Sequence, residues 1–146
     1  MINGINSREM ILEILLEIEE GEHSHVAIRN ALSKYQFLPK QDRAFITRVC
    51  EGTLEYRIQI DYIINSFSKV TVDKMKPAIR EILRSAVYQL KYMDSVPDSA
   101  VCNEAVKLAQ RKGFYNLKPF VNGVLRTIAR EMDQVRFPQK EDDLLK

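Results

Sequence analysis

The sequence is short of the residues that most other fold classes depend on. Five glycines and five prolines in 146 residues are too few turn formers for an all-β fold. Only two cysteines occur, Cys50 and Cys102. They stand far apart, with no Cys-x-x-Cys pair and no larger set to staple a small secreted fold. Each falls among apolar residues in a helical pattern and reads as a buried structural thiol. Histidine is confined to His23 and His25. Their i, i+2 spacing at a helix start does not converge on a metal, and no cysteine or carboxylate cluster joins them. There is no G-x-x-x-x-G-K, no G-x-S-x-G and no glycine-rich turn between a strand and a helix, so the sequence lacks the usual signatures of nucleotide binding and serine hydrolysis. No apolar stretch approaches the ~20 residues that span a bilayer. The N-terminus has no charged leader followed by an apolar run and a small-residue cleavage site. The expectation is a soluble protein of a reducing cytoplasm. Its chain should hold no metal, no cofactor and no catalytic centre, and should touch no membrane.

What is present points to helices. The composition is 45% hydrophobic and 29% charged, and its richness in Ile, Leu, Ala, Glu, Lys and Arg favours an all-α fold. The length suits one domain and can bury a core without crosslinks. Ser7–Glu20 is predicted as the first helix. It carries Ile11, Ile14, Leu15 and Ile18 on one stripe widened by Leu12 and Leu16, with Ser7 as cap and Gly21 as stop. Ser24–Lys34 follows, facing Val26, Ala27, Ala31 and Leu32 inward until the break at Tyr35–Pro39. From Lys40 to Phe67 the pattern is helical without proline. It reads as one long helix, or as two that bend at Gly52, where glycine weakens the interior by about 1 kcal/mol and admits close approach of another backbone. Ser68–Lys76 reads as a loop. Pro77–Tyr92 is the clearest core helix, with Ile79, Ile82, Leu83, Ala86, Val87 and Leu90 on helical spacing. Pro97 and Asp98 open a helix that ends at Gly113. Asn116 reads as the cap of a last helix to Met132, whose stripe is Val121, Val124, Leu125, Ile128 and Met132. Residues 133–146, with Pro138 and a charged run, read as a linker or tail.

A formal net charge of +2 conceals a strong asymmetry. Residues 1–22 hold one Arg against six Glu, which leaves −5. Residues 23–130 hold 18 Lys and Arg against 9 Asp and Glu, which leaves +9, and residues 131–146 hold three against five, which leaves −2. The six glutamates sit more naturally on a solvated helix face than around one cation. The basic middle favours a polyanion. Lys118, Asn122, Arg126 and Arg130 recur every four residues on the last helix. Arg111 and Lys112 close the helix before it, and Arg80 and Arg84 form another i, i+4 pair. These seven cations, Arg80, Arg84, Arg111, Lys112, Lys118, Arg126 and Arg130, are the candidate phosphate contacts. No aromatic residue is evidently interleaved with them, so contact through the nucleic-acid backbone is expected rather than base stacking. Asn122 and Gly123 read as structural, an amide bonding a nearby carbonyl and a residue for close helix packing.

Three stretches carry a family resemblance: Val96-Pro-Asp98 with Asn103-Glu-Ala-Val-Lys-Leu-Ala109, Phe120-Val-Asn-Gly-Val-Leu-Arg126, and Ile82-Leu-Arg-Ser-Ala-Val-Tyr-Gln-Leu90. Together they resemble the NusB-like helical family over about residues 5–132. Two groups share that fold. One is the transcription antitermination factor NusB. The other is the N-terminal domain of RsmB (Sun/Fmu), the 16S ribosomal RNA cytosine-C5 methyltransferase B. Asp42-Arg-Ala-Phe45 with Gly52-Thr-Leu54 resembles the methyltransferase group. Only Arg8 stands where NusB usually opens with an arginine-rich segment, and the stretch from Arg136 to Lys146 resembles the linker into a methyltransferase domain.

The resemblance implies a bundle of about seven helices over residues 1–132, with residues 133–146 leading to a catalytic domain outside this chain. S-adenosylmethionine would be bound there, and neither Cys50 nor Cys102 matches the motif of the family's attacking cysteine. The implied partners are ribosomal RNA and that methyltransferase domain in cis. Ribosomal protein S10 is the implied partner if the chain is instead a NusB factor. A helical protein-interaction domain with no RNA role is the third alternative.

Overall fold

The computed structural model describes residues 6–137. Among them are seven α-helices and no strand: α1 (Ser7–Glu19), α2 (Ser24–Lys34), α3 (Lys40–Glu55), α4 (Arg57–Phe67), α5 (Pro77–Tyr92), α6 (Asp98–Arg111) and α7 (Lys118–Glu131). Single 3-10 turns at Val72–Lys74 and Tyr115–Leu117 fill two connections, and a third, Met132–Gln134, follows α7. No helix among the described residues is long and apolar enough to cross a membrane.

The order of burial follows from the apolar stripes. α5 is buried over most of its surface and is the hub, packing against α1, α3, α4, α6 and α7. Ile79, Ile82, Leu83 and Val87 are shut away completely, together with Ile11, Leu12, Ile46, Ile60, Ile63 and Leu125 from the surrounding helices. α6 and α7 form an antiparallel hairpin on one side, while α1, α2 and α3 wrap the other. Gly21 at φ +117° and Gly113 at φ +91° close α1 and α6 in the left-handed conformation that glycine adopts without steric cost. At each end two bonds run back to orphan carbonyls, Glu22 N–H to Glu17 O at 3.0 Å and Phe114 N–H to Ala109 O at 2.9 Å among them.

Four local expectations change. The cap of α1 is Asn6, whose Oδ1 accepts from the Glu9 N–H at 2.8 Å, and not Ser7, which is the first helical residue. Asn6→Ala is therefore expected to cost about 1 kcal/mol in denaturant unfolding, while Ser7→Ala leaves the midpoint unchanged. The long helical stretch breaks at Tyr56, four residues past Gly52, which stays inside α3. No neighbouring backbone occupies the space at Gly52; the ring of Tyr88 lies across it, and a Cβ there would stand 2.1 Å from Tyr88 Cε1. Asn116 does not cap the last helix. It lies in the 3-10 turn Tyr115–Leu117, and α7 starts at Lys118 with Pro119 in its first turn. After α7, Val135 and Phe137 pack back on the core, with the Phe137 ring 5.4 Å from Tyr62 of α4. The rest of the expected linker lies outside the described residues.

Candidate nucleic-acid interface

The seven cations separate into three groups according to what each helix faces. Lys118, Arg126 and Arg130 project from the outer side of α7. Lys118 donates from Nζ to Gln110 Oε1 at 2.7 Å, and Arg126 donates from Nη2 to Asn103 Oδ1 at 2.8 Å. Both acceptors belong to α6, one at each end of the hairpin seam. Arg126 also donates from Nε to Asn122 Oδ1 at 3.1 Å. Asn122 thus bonds a side chain of its own helix and no loop carbonyl. Arg130 is mostly exposed and pairs with its neighbour Glu131 at 3.0 Å.

The result is a polar seam of two cations and three amides, laid along the α6–α7 groove with neutral partners. A cation held by neutral amides keeps its full charge for an incoming anion. One held by a carboxylate must first lose that partner. Gly123 lies beside the seam on the exposed side of α7, and a Cβ there would meet nothing within 4 Å. It therefore has no part in helix packing, and its missing side chain leaves the helix surface low where a phosphate backbone can approach. Tyr115 was not apparent from the sequence pattern. It is 67% exposed on the 3-10 turn before α7. Lys118 Nζ stands 4.5 Å from its ring centroid, so an aromatic face lies at the end of the seam. The missed signal was the i, i+7 pair Asn103 and Gln110 on α6, which only the hairpin register brings opposite Arg126 and Lys118.

Arg111 and Lys112 turn the other way, toward the acidic first helix. Arg111 lies 3.4 Å from Glu9, and Lys112 lies 3.3 Å from Glu9 and 3.4 Å from Glu13. Part of the acidity of α1 is thus spent holding the C-terminal end of α6.

Arg80 and Arg84 point inward. Arg80 pairs with Glu19 and donates to the carbonyls of Val72 at 2.9 Å and Met75 at 3.3 Å. Arg84 grips both oxygens of Asp61 at 2.8 Å and Glu81 at 2.7 Å, with 11% of its side chain exposed. Their donors are consumed by the bundle, so these two cations tie helices together and leave the exposed face to the others. The sequence pattern alone does not separate them from Arg126 and Arg130. Both cysteines are buried, and burial raises each thiol above its ordinary range, at Cys102 even though Arg126 pulls the other way.

Comparison with known proteins agrees with this architecture. The NusB family model matches residues 5–130. The chain is 35% identical over 124 residues to the probable ribosomal RNA small subunit methyltransferase B of Bacillus subtilis, a match covering 85% of this chain and 28% of that protein. It thus spans under a third of that relative's length. It is 33% identical over 130 residues to the transcription antitermination protein NusB of Dictyoglomus thermophilum, covering 88% of this chain and 85% of that one. A crystal structure of antitermination factors NusB and NusE in complex with dsRNA superimposes with a TM-score of 0.77 at 21% identity, covering 85% of this chain and 93% of that one.

Proposed function

Because the chain belongs to the NusB family, we propose that its α6–α7 face binds RNA, as a non-catalytic module of a 16S ribosomal RNA cytosine-C5 methyltransferase. The observation that carries this reading is the seam itself. Lys118 and Arg126 are held by amides rather than by carboxylates, and Tyr115 is exposed at one end. The cations neutralise phosphates, and the tyrosine face offers a platform for an unpaired base. Arg130 extends the charge along α7. Arg111 and Lys112 border the face and join in once RNA competes with Glu9 and Glu13 for them. In this reading S-adenosylmethionine and the attacking cysteine belong to the part of the methyltransferase that this chain does not span. The described residues contain no strand and therefore no βαβ cradle for that group.

The reversal variant Lys118→Glu/Arg126→Glu tests the face. Its affinity for a 16S ribosomal RNA fragment is expected to fall more than tenfold. Its log–log dependence on salt should flatten by about one to two, since two phosphate neutralisers are lost. An unchanged affinity and slope would remove the face from consideration. Tyr115→Ala is expected to weaken binding by about 1–3 kcal/mol with the salt slope intact, because stacking releases no counterions.

A second reading is a free-standing NusB-type antitermination factor that binds RNA together with ribosomal protein S10. The observation favouring a protein partner is an apolar hollow of about 230 Å³ lined by Val70, Met75, Ile79, Leu117 and Phe120, with Lys74 and Lys76 beside it. The two readings separate on the length of the native reading frame. Several hundred codons past Lys146 support the methyltransferase, and a stop near that point supports the factor. If no RNA binds even at low salt, a protein-interaction role is what remains.

A further inference from the structure

A groove of about 770 Å³ runs along α3, with Leu32 of α2 on one side and Tyr88 of α5 on the other. Its charges are sorted along the helix. Lys40, Arg43 and Arg48 occupy the N-terminal half, and Glu51 and Glu55 the C-terminal end. Among the described residues no ion pair engages any of the five. Arg43 and Arg48 donate instead to the carbonyls of Leu32 and Tyr92, at 3.0 and 2.9 Å. Apolar surface lies at both ends. Tyr88, seated over Gly52, floors the acidic end. Leu32 and Leu38 line the basic end, where Phe37 stands 84% exposed beside Leu38.

The chain after α7 heads toward this groove. Gln134 and Val135 share a hollow with Ser66 and Phe67 at the end of α4. Phe137 has moved on to Tyr62, nearer the start of α4, and to Lys91 at the end of α5. Lys91 Nζ stands 5.5 Å from the Phe137 ring and 5.5 Å from the Tyr92 ring, and Tyr92 leans on Tyr88. Phe137, the last described residue, is thus within about 11 Å of Tyr92 at the acidic mouth. Residues 138–146 follow, and nine residues extend to about 30 Å. About 19 Å of that reach remains past Tyr92, against about 24 Å for the whole of α3. In order, the segment presents Lys140, the acids Glu141, Asp142 and Asp143, and then Leu144 and Leu145. The groove, taken in the same direction, is acidic, then basic, then apolar.

We propose that this groove is the seat of residues 138–146, which run antiparallel to α3. Lys140 meets Glu55 and Glu51, the three acids face Arg48, Arg43 and Lys40, and the two leucines cover Leu32 and Leu38. Each exposed ion pair adds little by itself. Phe137 holds the segment at the mouth, however, so docking is intramolecular and weak contacts suffice. In the methyltransferase reading the seat decides where the chain leaves the bundle: on the α2–α3 side, across α5 from the α6–α7 face. The seat stands whether or not RNA binds that face.

A nitroxide placed on Lys146→Cys in the full 146-residue chain tests the seat by NMR; Cys50 and Cys102 are buried and escape the label. The backbone amide signals of Leu32, Leu38 and Lys40 are expected to lose most of their intensity and to regain it when the nitroxide is reduced, while those of α6 and α7 keep theirs. Lys40→Glu/Arg48→Glu should abolish the loss, and adding Glu141→Lys/Asp143→Lys to that variant should restore it. Full intensity at the three amides in the labelled protein overturns the proposal, and so does a loss that survives the Lys40→Glu/Arg48→Glu reversal. A mixture of isotope-enriched unlabelled chains with nitroxide-labelled chains at natural abundance separates the remaining case. The same loss in that mixture means that the groove takes the tail of a second copy, which also overturns the seat within one chain.

Discussion

Gly52→Ala is expected to destabilise the protein by about 2–3 kcal/mol, since overpacking a filled core site typically costs 1–3 kcal/mol or more. In a chain of this length that lowers the thermal midpoint by roughly 5–10 °C. Helix propensity alone predicts the opposite sign, because alanine is better than glycine in a helix interior by about 1 kcal/mol. The sign of the change therefore reports on packing. The new Cβ would stand 2.1 Å from Tyr88 Cε1, 2.2 Å from Cζ and 2.5 Å from Oη, so the ring must move. Its aromatic neighbours restrain it on one side. Tyr88 leans on Tyr92 at 5.3 Å between centroids, and Tyr92 is stacked on Tyr56 at 4.5 Å and donates its hydroxyl to Gln59 Oε1 at 2.5 Å. Tyr88→Ala should itself cost about 3–5 kcal/mol as a buried aromatic truncation. In that background the same glycine substitution is expected to be neutral or mildly stabilising. A double-mutant cycle by denaturant unfolding checks the coupling, and a Gly52→Ala protein as stable as the parent would show that the ring does not occupy the slot.

Arg84→Ala is expected to cost about 3–5 kcal/mol, the range seen when one partner of a buried ion pair is removed and the other charge is left behind. Arg84 bonds two acids at once, through both oxygens of Asp61 and one of Glu81. Asp61 is partly exposed and regains water on losing its partner, which places the effect toward the lower end of that range. Glu81, whose carboxyl burial pushes up to about 8, takes up a proton instead of standing as a bare charge, which again favours the lower end. Arg84→Lys should recover only part of the loss, because an ammonium cannot reproduce the two-pronged bond to Asp61. The contrast with Arg126 is the useful control. Arg126→Ala removes bonds to two surface amides and is expected to change stability by no more than about 1 kcal/mol. Urea unfolding of the variants side by side checks the ranking, and equal losses at Arg84 and Arg126 would contradict the assignment of one to the interior and the other to the face.

These comparisons show where sequence reasoning reached its limit. The stripe Ile79–Leu90 identified the hub helix outright, and α2 and α5 begin and end where their periodicity and flanking residues place them. Gly21 and Gly113 were legible as stops because a helix end needs a left-handed residue whatever the rest of the fold does. Caps were less legible. Asn6 and Ser7 are both good N-cap residues, and Asn116 belongs to a turn that is tightened before α7 begins. The role of Gly52 was not legible, because the object that needs its space is Tyr88, thirty-six positions along the chain.

The candidate face divides in the same way. The four-residue spacing of Lys118, Asn122, Arg126 and Arg130 was visible because it is a property of one helix. Whether a cation on a helix is free, paired or buried depends on which helix lies opposite. Spacing could not separate Arg84, closed in by Asp61 of α4, from Arg126, laid against Asn103 of α6. It could not show that Glu9 and Glu13 restrain Arg111 and Lys112, or that Tyr115 ends the seam. Hydrophobic periodicity and the turn residues act within a few positions of the chain, and they were enough for the helical class, the hub and most boundaries. The pairing of charges and the slot for a tyrosine ring are set by distances across the bundle, so only the tertiary structure decided them.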